Sequence, residues 1–351
     1  MSKKALIAMS GGVDSSVAAA KMVEAGYDCL GVTMRLHDGE NCGAAKEAED
    51  AKKIADTLGF PFAVADLRGE FAKQVIDRFV SAYEVGDTPN PCIECNRYLK
   101  FGALMDYAKE QGCDLLVTGH YARVEYDGEK YRLRKAVNTA KDQTYVLYFL
   151  TQEQLAHIAF PLGEMESKEQ IRGIAAGYGF VSAHKADSQD ICFVPDGKYA
   201  DFIRQRTGKE YLAGDFVDAD GKVLGRHKGL IHYTIGQRRG LGLALPAPLY
   251  VRSKNRESNT VLLTPESELY TTRLVADGFN WVDGEAPTEP VKATACTRYN
   301  AREAAATVTA LPDGRAEVVF DTPQRAVTCG QAVVLYDGEY VVGGGTIVTT
   351  D

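Results

Sequence analysis

Hydrophobic and polar positions follow two textures along this chain. In the first part, short apolar runs of β character alternate with longer segments whose apolar residues recur three or four apart. The pattern predicts strands at Ala5–Met9, Cys29–Leu36, Phe62–Asp66 and Asp114–Thr118. Helices are predicted at Asp14–Ala25, Ala44–Leu58, Gly69–Tyr83 and Asn96–Gln111. This βαβα order calls for a parallel sheet with helices on both faces. A hairpin is expected at Val124–Lys135, turned at Asp127-Gly128, followed by helices at Gln152–Ile158, Lys168–Tyr178 and Lys198–Arg206. Beyond about residue 210 helical periodicity fades. Asp-Gly pairs at 220–221, 277–278, 283–284, 313–314 and 337–338 punctuate β-rich runs such as Ala316–Phe320 and Ala332–Tyr336. One or two small β domains are expected there, the last a barrel, with the boundary between them near Thr272.

Composition narrows the class. A length of 351 residues suits two or three domains, and 45% hydrophobic with 25% charged residues is the balance of a folded protein. No apolar run is long enough to span a bilayer. Met1–Met9 carries a basic pair and an apolar stretch, but the stretch is short and runs directly into Ser10-Gly11-Gly12, so a first strand and a cytoplasmic protein are expected. The formal charge of −8 argues against bulk binding of nucleic acid. Residues 222–256, however, hold eight Lys or Arg (222, 226, 228, 238, 239, 252, 254 and 256) and no Asp or Glu, a local site for a polyanion.

Two motifs carry chemistry. Ser10-Gly-Gly-Val-Asp-Ser-Ser16 follows the first strand and opens a helix. Gly11 and Gly12 allow a tight turn and close approach of an anion, Ser10 and Ser15 offer hydroxyls, and the helix start adds unpaired N–H groups. The Walker spacing and its lysine are absent. The string resembles the PP-loop of ATP pyrophosphatases, which split ATP to AMP and pyrophosphate; Asp14 would help hold Mg²⁺.

The second motif is a proline-rich loop, Thr88-Pro-Asn-Pro-Cys92-Ile-Glu-Cys95-Asn96, entering a helix. A helix N-terminus favours thiolate and can lower a thiol pKa from about 8.5. Asn96 is a candidate cap for that helix, and Arg97 and Lys100 would add positive field. Cys192 lies in Asp187-Ser-Gln-Asp190-Ile-Cys192-Phe193, a segment expected to move. Three thiols can pass sulfur, with a persulfide on one, or hold iron–sulfur or zinc with one position open. Cys29, Cys42, Cys113 and Cys296 lack such context. Eight cysteines in this length are too few for a disulfide scaffold.

Across nearly its whole length the sequence resembles the tRNA-specific 2-thiouridylases, which place sulfur at position 2 of the wobble uridine. The carrying strings are Ala8–Ser16, Asn90–Asn96, Thr118–Arg123, Lys141–Leu150, Ser188–Pro195, Tyr233–Gly242 and Pro323–Gln331. The resemblance implies a Rossmann-like α/β PP-loop domain with a parallel sheet over residues 1–207, a central small β domain over 208–272 and a C-terminal β-barrel over 273–351. It implies ATP binding by Ala8, Met9, Ser10, Gly11, Gly12, Val13, Asp14, Ser15, Met34 and Gly119. Cys95 matches the family's nucleophile and Cys192 its persulfide-bearing cysteine, which a disulfide would join. Asn90, Pro91 and Cys92 would meet the target base, and His120, Lys141, Asp142, Gln143, Arg298, Tyr299 and Gln331 the tRNA. ATP with Mg²⁺, a tRNA of the Lys, Glu or Gln type, and a sulfur donor (a cysteine desulfurase or sulfur-relay protein) are the implied partners of a monomer without membrane contact. In some members an acid–base Asp replaces Cys92, which sharpens the alternative of an iron–sulfur cluster on Cys92, Cys95 and Cys192. Cys329 stands where proline is expected and Asn300 where a basic residue is common.

Overall fold

A computed structural model of the chain describes residues 3–37, 44–183, 185, 191–194 and 197–351. Cys42, and most of the segment leading into Cys192, lie outside the described residues.

The first sheet is parallel, in the order β3-β2-β1-β4-β7: Phe62–Asp66, Asp28–Arg35, Lys4–Ala8, Leu115–Val117 and Ile158–Ala159. Side chains alternate across it, as the two-residue period of a strand requires. Ala5 and Ile7 pack with Val17 and Ala18 of helix α1 (Val13–Glu24), Ile54 of α2 (Ala44–Leu58), and Ile171 and Ala175 of the Lys168–Gly177 helix. Leu6 points the other way, onto Phe101, Leu104 and Met105. The expected two-faced architecture is therefore present, and its element ends fall close to the sequence-based ones.

Two helices run longer than expected, and each contains a π-helical stretch. The 68–85 helix passes through Ala72–Ile76 in this form, and the 91–110 helix through Cys95–Ala103. π segments are rare and gather at functional sites. The second begins at Cys95.

The small β sheet runs β10-β11-β8-β9, formed by Tyr250–Asn255, Thr260–Thr264, Gly214–Val217 and Val223–His227 around Phe216, Val251, Val261 and Leu263. Strands β12 (Tyr270–Trp281), β13 (Val291–Cys296), β14 (Ala304–Ala310), β15 (Ala316–Arg325), β16 (Ala332–Asp337) and β17 (Tyr340–Thr350) form an antiparallel barrel, closed by pairing of β12 with β17. Leu274, Val308, Val318, Phe320, Leu335 and Ile347 fill it.

Two features differ from the sequence reading. Asp277-Gly278 is not a turn between strands. It lies inside β12, where the register with β17 slips between Asp277 and Asn280 and Gly278 takes φ +56°. A glycine in the left-handed region lets the strand bulge without ending it. The hairpin β5–β6 (Ala122–Tyr126 and Tyr131–Lys135) is not confined to the first part of the chain, since β6 pairs with β17 and extends the barrel's sheet. Arg132 meets Asp283 at 2.6 Å, Lys135 meets Glu303 at 2.5 Å, and Arg134 pairs with Glu339. No helix among the described residues is long and apolar enough to cross a membrane.

Candidate functional site

The order β3-β2-β1-β4 reverses direction at β1, so a crevice opens between the carboxyl ends of β1 and β4, the usual ligand position in open α/β sheets. The Ser10–Ser16 loop leaves β1 there and Gly119 follows β4. Met34 ends the neighbouring strand β2. Ala8–Ser15, Met34 and Gly119 are thus brought to one end of the sheet by topology. Gly11 has φ +67°, and a Cβ on it would stand 2.5 Å from the Glu47 carbonyl oxygen. A Cβ on Gly119 would stand 2.9 Å from backbone atoms of Asp14 and Ser15. Both glycines are there because nothing larger fits.

Four side chains not anticipated from the sequence complete the loop. The Asp14 carboxylate accepts hydrogen bonds from Tyr121 Oη at 2.6 Å and from Lys168 Nζ at 2.8 and 2.9 Å. Lys185 Nζ donates to the Gly11 carbonyl at 3.1 Å and pairs with Asp50 at 2.7 Å. That bond holds the Asp50 carboxyl below its usual pKa. Ser16 Oγ lies 3.0 Å from Ser182 Oγ, both fully buried. No local spacing links residues 168, 182 or 185 to residues 11–16, so no sequence signal pointed to them.

The cysteine loop opens the 91–110 helix. Its cap is Asn90, whose Oδ1 accepts from Cys92 N at 3.1 Å with Pro91 at the first helical position. Asn96, the expected cap, is instead buried and donates through Nδ2 to the Val146 carbonyl at 3.3 Å. Arg97 is turned onto the Phe149 ring and donates to Tyr148 Oη at 3.2 Å.

Cys92 and Cys192 are exposed, Cys95 is half-buried, and all three are free thiols. Cys192 is anchored by its neighbours Phe193 and Val194; Phe193 packs edge-on against Phe71 and Phe79. The thiols lie close enough that charge on Cys92 or Cys95 is felt at Cys192; although its surface is open, desolvation by the protein packed around it, with those neighbours, pushes its pKa up to about 12. The same desolvation raises Cys92 and Cys95, with Lys100 opposing. The expected lowering by the helix start is outweighed because surrounding protein desolvates the thiolate more than the helix end stabilises it. Among the described residues no three His, Cys, Asp or Glu side chains are grouped as metal ligands. The three thiols as arranged do not fit an iron–sulfur or zinc centre. Asp14 can offer Mg²⁺ one carboxylate, with phosphate oxygens supplying further ligands.

The expected tRNA residues largely converge where the barrel meets the cysteine loop. Gln331 Nε2 donates to the Thr88 carbonyl at 2.6 Å, and Thr88 N donates to the Cys329 carbonyl at 3.1 Å. Tyr299 Oη donates to the Asp142 carbonyl at 3.3 Å, and desolvation, then the Asp142 charge, then nearby Cys92 raise the Tyr299 pKa. Arg298 donates to the Ala326 carbonyl. Gln143 Oε1 accepts from Tyr121 N at 3.0 Å. The Asp142 carboxylate faces inward, accepting from Ala136 N at 2.8 Å and Thr144 Oγ1 at 2.5 Å, and burial raises its pKa. Lys141 ends a short turn over Thr139–Lys141 on this rim.

His120 stands apart. Its ring is buried between Phe101 and Phe160, with Nδ1 2.7 Å from Thr118 Oγ1. Burial, aided by the Lys100 charge, holds its pKa well below 6.5. The unfolded chain takes up that proton as pH falls through about 6.5 and the folded chain does not, so stability is whole above this pH and lost below it. We expect the denaturation midpoint to fall between pH 6.5 and 5, with up to about 1.4 kcal/mol per pH unit from this residue. In His120→Gln the slope becomes shallower by one proton; His227 and His232, shifted the same way by burial, keep the remainder. An unchanged slope in that variant would place the titration elsewhere.

Fold and site together define a phosphate-loop α/β protein whose thiol-bearing cleft is walled by a C-terminal β-barrel. Residues 3–196 match the family described as tRNA methyl transferase HUP domain, 200–265 the tRNA methyl transferase PRC-barrel domain, and 271–347 the aminomethyltransferase beta-barrel domain. A "tRNA-specific 2-thiouridylase MnmA" of Acetivibrio thermocellus is 48% identical over 356 residues, covering 98% of this chain and 99% of its own. The protein so named in Moorella thermoacetica is 49% identical over 353 residues, covering 97% and 98%. The chain belongs to the tRNA-specific 2-thiouridylase family. Among solved structures, the "U34-tRNA thiolase NcsA from Methanococcus maripaludis with its [4Fe-4S] cluster" is 15% identical, covers 58% of this chain and 66% of its own, and has a TM-score of 0.37, too slight a likeness to argue from.

Proposed function

We propose that the protein carries out ATP-dependent 2-thiolation of the wobble uridine of tRNA. The observation that carries this reading is a phosphate loop at the sheet's switch point together with three free thiols close enough to sense one another, in a chain of this family. A uridine carbonyl oxygen is a poor leaving group. Its attack on the α-phosphorus of ATP, with pyrophosphate leaving, converts it to a good one. The terminal sulfur of a Cys192 persulfide then attacks C2 and AMP departs. Cys95 attacks the Cys192 sulfur; the S–S bond to the uridine-bound sulfur breaks, its electron pair stays on that sulfur as 2-thiouridine, and a Cys95–Cys192 disulfide forms. A dithiol reductant and a fresh persulfide from a cysteine desulfurase or sulfur-relay protein reset the site.

In this reading residues 1–207 adenylate and transfer sulfur, while 208–272 and 273–351 bind tRNA; the enzyme is a cytoplasmic monomer. Asn90, Pro91 and Cys92 meet the flipped base, whose unstacking costs a few kcal/mol. Arg238 and Arg239, both exposed and without an acidic partner among the described residues, would help offset that cost by holding the backbone. Lys254 of the same basic segment is turned inward, its Nζ 3.0 Å from the Tyr233 carbonyl and its pKa lowered by burial to about 8. Tyr233 is buried with its ring edge-on to Phe216, so it offers no face to a base. Tyr250 remains half-buried on its strand, with Arg325 over its ring. Replacing Arg238 and Arg239 by Gln should weaken tRNA binding and reduce the salt slope by about two. Binding with unaltered affinity and slope would reject the patch.

The reading itself is tested by incubating metal-stripped protein with an unmodified tRNA transcript, ATP, Mg²⁺ and a persulfide donor, then analysing nucleosides. 2-Thiouridine with stoichiometric AMP and pyrophosphate supports it. ATP cleavage without thiolated RNA, in this preparation and after anaerobic iron–sulfur reconstitution, would refute it.

A further inference from the structure

The phosphate loop contains no lysine, yet the ligand proposed for it carries several negative charges, and the loop's own Asp14 adds another. Cations must reach it from elsewhere in the chain. Two lysines do. Lys168 is committed to Asp14 through both carboxylate oxygens and is largely buried. Lys185 is differently placed. Its Nζ sits on the Gly11 carbonyl, one residue before the N–H groups that open α1, and its other bond goes to Asp50. Its side chain keeps 34% exposure, so an arriving anion can reach the ammonium without unfolding anything. The Lys185 backbone is held in turn: its carbonyl accepts from Arg172 Nη2 at 2.8 Å, and nearby Ser182 is tied to Ser16 of α1.

We propose that Lys185 is a ligand for the polyphosphate end of the nucleotide, exchanging its Gly11 carbonyl bond for a phosphate oxygen. The inference rests on the ATP reading above and adds a residue to it.

The test measures binding of ATP, inorganic pyrophosphate and AMP to the wild type, Lys185→Gln and Lys185→Arg, with melting temperatures alongside. A charge-assisted hydrogen bond lost from a phosphate predicts about tenfold weaker ATP and pyrophosphate in the Gln variant. AMP should be unaffected and Arg should restore most of the loss. Equal weakening of AMP, or unchanged ATP and pyrophosphate affinity, would overturn the ligand assignment. Should the wild type itself bind neither ATP nor pyrophosphate, the nucleotide reading falls and this inference with it, a result distinct from binding that ignores Lys185.

Discussion

Cys192→Ser and Cys95→Ser each lower 2-thiouridine formation by about a thousandfold or more, whereas Cys92→Ser lowers it by about tenfold or less. The asymmetry follows from what each thiol is asked to do. In persulfide transfer Cys192 carries the sulfur and Cys95 releases it, and a hydroxyl can do neither because oxygen neither forms a persulfide nor attacks one at neutral pH. Cys92 is exposed, and the helix cap formed by Asn90 reaches its backbone N–H rather than its thiol, so serine preserves the local geometry. Tyr299, close enough to sense Cys92, would retain its neighbour. Adenylation does not use the thiols, so tRNA-dependent pyrophosphate release should persist in all three variants. A cluster held by three thiolates predicts a different outcome, with all three serines equally inactive. The nucleoside analysis that gives the rates thus separates the mechanisms, and equal loss would sink persulfide transfer.

Gly11→Ala is expected to abolish nucleotide binding, with a rise in Kd for ATP of at least about a hundredfold and a loss of about 2–4 kcal/mol in stability. Two costs add. The residue sits at φ +67°, where an L side chain is strained, and its Cβ would lie 2.5 Å from the Glu47 carbonyl, a backbone atom at the start of α2 that cannot swing aside. Relief requires the loop to move away from α2, which breaks the Lys185 bond to the Gly11 carbonyl. Gly12→Ala is the control for stability. Its φ is −89°, its added Cβ meets the movable Ser10 hydroxyl at 3.3 Å, and the melting temperature should change little. Calorimetric titration with ATP and a denaturation curve check both variants. Gly11→Ala protein that binds ATP as the wild type does would show that the loop is not the nucleotide site.

Much of the fold was legible because it rests on local periodicity. The continuous apolar run at Ala5–Met9 describes a strand buried on both faces, and the helical spacing of Ala44–Leu58 a helix packed on one, and burial follows the same pattern. Misreadings came where a local signal has two meanings. Asp277-Gly278 has the composition of a turn, but a left-handed glycine also suits a bulge inside a long strand. The proline-rich entry to the cysteine helix could be capped at Asn90 or Asn96, and where the helix starts decides which one is buried. The thiol pKa values went the opposite way because the helix-end effect is local, whereas desolvation depends on everything packed around it.

By itself the sequence determined the family, the order of elements and the identity of the loop and the thiols, all properties of contiguous strings. Only the tertiary structure decided which distant groups serve them. It brought Lys168, Tyr121 and Lys185 to the phosphate loop, set Gln331 against Thr88, joined the hairpin to the barrel's sheet and withdrew His120, Tyr233 and Lys254 from the surface. The physical reason is range. Periodicity and capping act over a turn or two, while charge pairing and burial depend on contacts between residues a hundred or more positions apart, which exist only once the chain has closed on itself.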